Sequence, residues 1–232
     1  MIKLPDLLGP ATRPFTFVGC LELPELLGRR ARDERELMEG LEQIPADSIY
    51  YHTHSIFLRH PRISGGYPND FANWVAGQVG DKALAERLAV VDPYNCASIE
   101  ELREDLVSIV ETHIATLQPV PRCVFGDPLF FVQSHVLEVN TGLEARTLQE
   151  FRRCLAEADL SVVYLHTLRA RLRGEVAGGD FAHWIGQELG LAALAGAIGR
   201  INPYMGGLEQ IRLETLRLID AELGQGDDGH ER

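Results

Sequence analysis

Apolar and polar positions follow two rhythms along the chain, and each rhythm occurs twice. Short β-rich runs come first: Phe15-Thr16-Phe17-Val18, and later Leu129-Phe130-Phe131-Val132. β-branched and aromatic residues suit a strand, and the Gly and Pro residues that follow end it, so two short strands are predicted. The spacing then changes to threes and fours. Leu37 and Leu41 share one face, as do Phe151 and Leu155, behind the start signals Asp33-x-x-Glu36 and Thr147-x-x-Glu150. In such a capping box the first side chain accepts from an orphan backbone N–H and the Glu reaches back. A second helix carries Ile49, His52 and Ile56 on one face, with Val163, His166 and Ala170 as its counterpart. Asp47 and Ser161 are its candidate caps. Gly80 and Gly190 are suitable left-handed helix ends. Pro93 and Pro203 stop a further helix, because proline cannot continue the hydrogen-bond ladder. Helices are predicted over about 34–44, 48–60, 70–79, 82–91 and 99–115, each with a counterpart in the second half.

The recurrence extends to residue identity. Tyr50-Tyr51-His52-Thr53 returns as Tyr164-Leu165-His166-Thr167, and Asp70-Phe71-Ala72-Asn73-Trp74 as Asp180-Phe181-Ala182-His183-Trp184. Asp92-Pro93-Tyr94 returns as Asn202-Pro203-Tyr204. The offset is 114 at the histidines and 110 at the two later motifs, so one loop is shortened in the second copy. The first copy carries Gly65-Gly66-Tyr67-Pro68-Asn69 there, and this difference would distinguish a copy that kept a ligand site. The expected fold is mainly α. Two homologous helical repeats, at 15–115 and 125–223, are each preceded by a short strand and packed with approximate two-fold pseudo-symmetry. A Pro-containing connector at 115–124 joins them. The glycine-rich polar tail at 224–232 is expected to be disordered.

Charge and composition narrow the partners. The 232 residues carry a net charge of −12, which leaves no basic excess for nucleic acid. It disfavours an anionic membrane surface for the same reason. No apolar run approaches the roughly 20 residues a spanning helix needs, and Met1-Ile2-Lys3-Leu4-Pro5 begins no long apolar leader. The four cysteines form no C-x-x-C pair and do not recur between copies, which suits free thiols in a reducing cytoplasm. A small molecule or a protein remains as the partner class, with no cofactor indicated.

The candidate chemistry lies in the recurrent residues. An imidazole on an apolar stripe needs a polar partner, so His52 and His166 are expected to be buried and hydrogen-bonded. Asp70 and Asp180 are the first partners to consider. Each is also a reasonable N-cap for the helix it opens. Paired, they form the orienting half of a general-base site, and His52, Asp70, His166 and Asp180 are the candidate catalytic residues. The other half is missing: no recurrent Ser or Cys, no G-x-S-x-G, no P-loop and no G-x-G-x-x-G. No spaced metal-ligand set appears, since His54 points away from His52 on a helix. Tyr50, Trp74, Arg103, Tyr164, Trp184 and Arg212 are candidate ligand contacts, with core packing as the alternative for the aromatics. For Arg103 and Arg212 the alternative is an ion pair, with Glu100 and Glu209 just before them.

Taken together, Tyr-Tyr-His-Thr, Asn-Asp-Phe-Ala-x-Trp, Leu-Ala-Glu-Arg-Leu, Asp-Pro-Tyr and Leu-Arg, given twice, resemble an uncharacterised prokaryotic domain family of unknown function. The resemblance spans about Phe15 to Leu223. It implies no established activity, cofactor or catalytic residue, and carries an association with carbohydrate-active enzymes, glycosyltransferases especially. The leading expectation is a cytoplasmic, non-catalytic binding or regulatory protein with a groove between its repeats. The rival is an enzyme using His52 with Asp70, and His166 with Asp180, in acid–base or hydrolytic chemistry, including carbohydrate chemistry. A metalloprotein using the same residues is the third reading.

Overall fold

The structure, a computed structural model, describes residues 9–60, 66–117, 126–172, 178–202 and 206–227. The connector beyond 117, Arg173, Pro203, Tyr204 and the tail beyond 227 lie outside them. The elements run β1 (Phe15–Ala31), α1 (Glu34–Gln43), α2 (Ala46–Thr53), α3 (Ile56–Arg59), α4 (Asp70–Trp74), α5 (Lys82–Val90) and α6 (Ile99–Ile114). They continue with β2 (Leu129–Ala145), α7 (Leu148–Glu157), α8 (Leu160–Val163), α9 (Ala170–Leu172), α10 (Gly179–Gln187), α11 (Ala192–Gly199) and α12 (Gly207–Asp227). Wider π-helical turns follow α4, at Val75–Val79, and α8, at Tyr164–Arg169. The first-half helices fall near where the periodicity puts them, except that the one expected over 48–60 breaks at His54-Ser55 into α2 and α3, and the one expected over 70–79 widens into the π-helical turn after Trp74. The helix α12 runs on into the segment expected to be a tail.

The expected fold class needs correction at the strands. Each is 17 residues long, and the two pair with each other in one two-stranded sheet. Phe17 pairs near Thr141, Glu22 near Ser134 and Glu25 near Gln133, so the strands are antiparallel. The chain divides into two compact units, and the division falls inside both strands. One unit, Glu22–Val136, holds α1 to α6; the other, Met1–Leu21 with Leu137–Arg232, holds α7 to α12. Neither set of helices is simply preceded by its own short strand, and the sequence halves are not the packing units. A two-fold pair of strand-plus-helix repeats does not describe this molecule. The physical reason is that only the two ends of each strand are buried, Phe15 to Cys20 with Ala31 in β1 and Leu129 to Phe131 with Ala145 in β2. The rest is held by ladder hydrogen bonds, which need no apolar alternation. Gly19 does not end β1: a Cβ there would lie 2.9 Å from Ser161 Oγ, so it allows a close approach.

In the unit Glu22–Val136 the core gathers Leu37, Leu41, Ile49, Phe71, Trp74, Leu84, Leu88, Leu102, Leu106 and Val110 around Leu129 and Phe131 of β2. The helix faces predicted from spacing are the buried ones. Phe131 lies against Gly40 of α1, where an added Cβ would fall 2.1 Å from the ring. In the other unit Phe15 and Phe17 of β1 meet Phe151, Phe181 and Trp184. Ring separations there run from 4.9 Å for Phe15–Phe17 to 6.4 Å for Phe17–Phe181, the range of favourable aromatic pairs, with Phe15 edge-to-face on its neighbours and Phe151 stacked on Trp184.

The caps explain where several helices start. Asp33 accepts from Glu36 N–H, Ser98 from Glu101 N–H, and Thr147 with Glu150 forms a full capping box. Four expected caps fall elsewhere: Asp47 lies inside the first turn of α2 behind Pro45, and Asp180 inside α10 behind Gly178. Asn69, not Asp70, caps α4 by accepting from Ala72 N–H at 2.8 Å. Asp159, not Ser161, caps α8. This frees Asp70 for another partner.

Candidate functional site

The two recurrent histidines are built the same way. His52 sits in α2 with 3% exposure. Its Nε2 accepts the backbone N–H of Val132 at 3.1 Å. That nitrogen therefore carries no proton, Nδ1 does, and Nδ1 donates to Asp70 Oδ2 at 2.9 Å. His166 lies in the π-helical turn after α8 with 7% exposure. Its Nε2 accepts from Val18 N–H at 3.0 Å, and its Nδ1 donates to Asp180 Oδ2 at 2.8 Å. Ser48 Oγ donates to Val132 O at 2.7 Å, so both backbone groups of Val132 are held by side chains.

Each Thr after the histidine turns back on its own helix, Thr53 onto Ile49 O and Thr167 onto Val163 O. Neither hydroxyl is hydrogen-bonded to the imidazole of His52 or His166 that precedes it; Thr53 Oγ1 instead lies 2.8 Å from Nδ1 of the neighbouring His54.

Around His52 the carboxylate has a second partner. Arg59 forms an ion pair with Asp70 and lies 3.8 Å from Glu22 Oε2. Its guanidinium stacks 3.9 Å above the Tyr51 ring, and it donates to Tyr51 O. Burial pushes the Tyr51 phenol up, with the Arg59 charge opposing. Nothing in the sequence motif signalled Arg59, whose position is set by the break between α2 and α3.

The candidate ligand contacts are all engaged within the fold. Trp74 Nε1 donates to Asp127 O at 2.9 Å and Trp184 Nε1 to Arg13 O at 2.8 Å, pinning the segments that lead into β2 and β1. Tyr164 is fully buried. Tyr50 stacks on His54 at 4.8 Å. Arg103 pairs with Glu100 and donates to Leu41 O, while Arg212 pairs with Glu209 and donates to Ala158 O.

Three buried ionisable groups lie outside the residues that the sequence singled out, His54, Glu34 and His113, and the first two lack full hydrogen bonding. His54 is fully buried, its Nδ1 is 2.8 Å from Thr53 Oγ1, and its Nε2 has no partner. Burial holds its pKa down at about 3. Glu34 opens α1 with no exposure and with neither carboxyl oxygen hydrogen-bonded. Burial raises its pKa. The Asp81 and Asp33 charges add to that rise, and His113 opposes it; His113 Nε2 lies 2.7 Å from Asp81 Oδ2. No local sequence signal marks either group, since burial is decided by long-range packing. Among the described residues, no group of three or more His, Cys, Asp and Glu side chains could hold a metal ion. No helix among them is long and apolar enough to cross a membrane.

The chain is a mainly helical protein in which His–Asp pairs and Trp side chains hold the strands of a long antiparallel ribbon and the segments that lead into them. The chain belongs to a family of unknown function, DUF5752, whose model matches residues 12–220. It is similar to the solved structure of OrfY from Thermoproteus tenax, at 30% identity and a TM-score of 0.76, over 92% of this chain and 97% of that one. No curated protein matches it.

Proposed function

We propose that this is a cytoplasmic, non-catalytic binding or regulatory protein that takes a small molecule or a protein as its partner. The observation that carries the reading is the commitment of both ring nitrogens of His52 and His166. A general base needs a free imidazole lone pair within reach of a substrate proton. Here that lone pair accepts a backbone N–H, and the opposite nitrogen is held by a carboxylate. The absence of a recurrent nucleophile in the sequence supports the same reading.

The test is a thermal-shift screen of a metabolite panel that includes nucleotide sugars, sugar phosphates and free saccharides. A true ligand at a hundred times its Kd adds about 2.7 kcal/mol to stability. The expected result is a ligand that raises the melting temperature and is recovered chemically unchanged. Conversion of any panel member, lost in Asp70→Asn while that variant stays folded, would overturn the reading.

A further inference from the structure

The strands of the unit Glu22–Val136 carry an open apolar face. Leu129 and Phe131 of β2 and Leu27 of β1 pack into the core of that unit, with Phe131 against Gly40 of α1. Arg29 reaches the same helix and donates to Gln43 Oε1. Successive side chains of a strand point to opposite faces, so Leu26, Arg30 and Phe130 point away from α1. Leu26 is 68% exposed and Phe130 48%, and Pro24 and Arg30 are exposed as well. Glu25 meets Gln133 across the ribbon, which makes Leu26 and Phe130 diagonal neighbours.

The strands do not need apolar residues there. In the other unit Thr16 lies between the buried Phe15 and Phe17, as Phe130 lies between the buried Leu129 and Phe131. Asn140 and Glu144 stand two residues before and after Gly142, φ 75°, as Leu26 and Arg30 stand about Gly28, φ 70°. Thr, Asn and Glu thus serve at positions where this face has Phe, Leu and Arg. Exposed large apolar side chains beside an arginine have the composition of an interface centre rather than of a solvated strand.

Charge and edges select the partner. Arg30, Arg32 and Arg35 form no ion pair among the described residues, unlike Arg59, Arg103 and Arg212, although the chain carries a net charge of −12. A partner that brings carboxylates satisfies them, whereas two copies joined face to face about a two-fold would oppose like arginines. Strand addition is disfavoured at both edges of this unit: His52 holds the β2 edge at Val132, and Pro24 removes an N–H from β1. A helix laid across the face, as α1 lies on the opposite one, is the arrangement that remains.

We propose that the face of Pro24, Leu26, Arg30 and Phe130 docks an acidic amphipathic helix of a partner protein. The apolar stripe of that helix covers Leu26 and Phe130, and its carboxylates pair with Arg30. The inference rests on the binding reading above and makes the partner a protein. It fails separately from that reading, because its test reads binding at this face and turnover plays no part.

The probe is an acetylated and amidated peptide of three Leu-Glu-Ala-Leu-Ala-Glu-Glu heptads. It is titrated into the full-length, isotope-labelled protein while backbone amide NMR shifts are followed. Saturable shifts are expected in β1 from Leu23 to Arg30 and in β2 from Phe130 to Ser134. The double variant Leu26→Asn with Phe130→Thr takes the residues of the equivalent positions. It should bind at least about tenfold more weakly, equivalent to 1.4 kcal/mol, with an unchanged melting temperature. Arg30→Glu should lose a similar factor, and Arg30→Lys should stay within about threefold of the parent. No saturable shift, or binding that survives the double variant, overturns the proposal. A clear fall in the melting temperature of the double variant overturns it too, by showing that the chain itself covers the face. So does self-association of the parent that the double variant abolishes, which would make the occupant a second copy. Capture of the parent, but not of the double variant, by vesicles of phosphatidylserine and phosphatidylcholine overturns it as well, by making the face a membrane contact.

Discussion

Val132 places its backbone N–H on Nε2 of His52, 3.1 Å away. Val18 does the same with His166 at 3.0 Å. In a two-stranded ribbon each strand has an outer edge of unpaired N–H and C=O groups, which is costly when buried and aggregation-prone when exposed. The recurrent histidines answer that problem. Each Asp fixes the ring so that its acceptor nitrogen faces the strand.

Removing the clamp should therefore cost stability. His52→Ala leaves Val132 N–H and Asp70 without their partner, an expected loss of about 1–3 kcal/mol, with a cavity cost in addition. Asp70→Asn would be mild if Asp70 were only a cap. It accepts from His52 and pairs with Arg59, so a loss of about 1–2 kcal/mol is expected, discounted for its partial exposure. Urea unfolding measures both. A midpoint for Asp70→Asn equal to that of the parent would refute the clamp.

Gly40 gives a steric prediction. Phe131 occupies the space a side chain there would need. Gly40→Ala should destabilise by about 1–3 kcal/mol despite better helix propensity. Phe131→Leu in the same chain should recover part of the loss, which a double-mutant cycle reads as coupling.

Burial of His54 sets an acid limit. Its folded pKa, about 3, lies below the ordinary 6.5, so the unfolded chain binds the proton first. The stability it contributes is present above pH 6.5 and is lost as pH falls towards 3. While only the unfolded form is protonated, each pH unit costs about 1.4 kcal/mol. The counterpart position carries Leu168, also buried, so His54→Leu should fold and flatten this acid limb. A chemical denaturation series from pH 7 to pH 4 with identical slopes for parent and variant would contradict it.

Glu34 works in the opposite direction. Its pKa is raised, so the folded chain holds the proton more tightly than the unfolded chain. Its contribution is full below the ordinary carboxylate value of 4.5 and is lost as pH rises through the folded value. Glu34→Leu matches the buried Leu148, which follows the Thr147 cap as Glu34 follows the Asp33 cap, and should be more stable than the parent at pH 8, with the gain shrinking towards pH 4. Equal stability of the two proteins at pH 8 would show that the carboxyl is not buried in solution.

By itself the sequence determined most of the local structure. Apolar spacing identified the buried helix faces, from Leu37 and Leu41 to Leu102 and Leu106. Capping residues located the starts of α1, α6 and α7. The doubled spacing picked out His52 with Asp70 and His166 with Asp180, because a partner within one turn or one loop leaves a local trace. Tertiary structure alone decided that β1 and β2 run 17 residues, pair with each other and divide between the two units. It also decided that the free imidazole nitrogens close on Val132 and Val18, more than seventy residues away in the chain. A backbone N–H is the same at every position, so no side-chain pattern marks which one a distant histidine will meet. That choice is made by packing, when the first residues of each strand bury Phe17 and Phe131 and carry the neighbouring amides onto the rings.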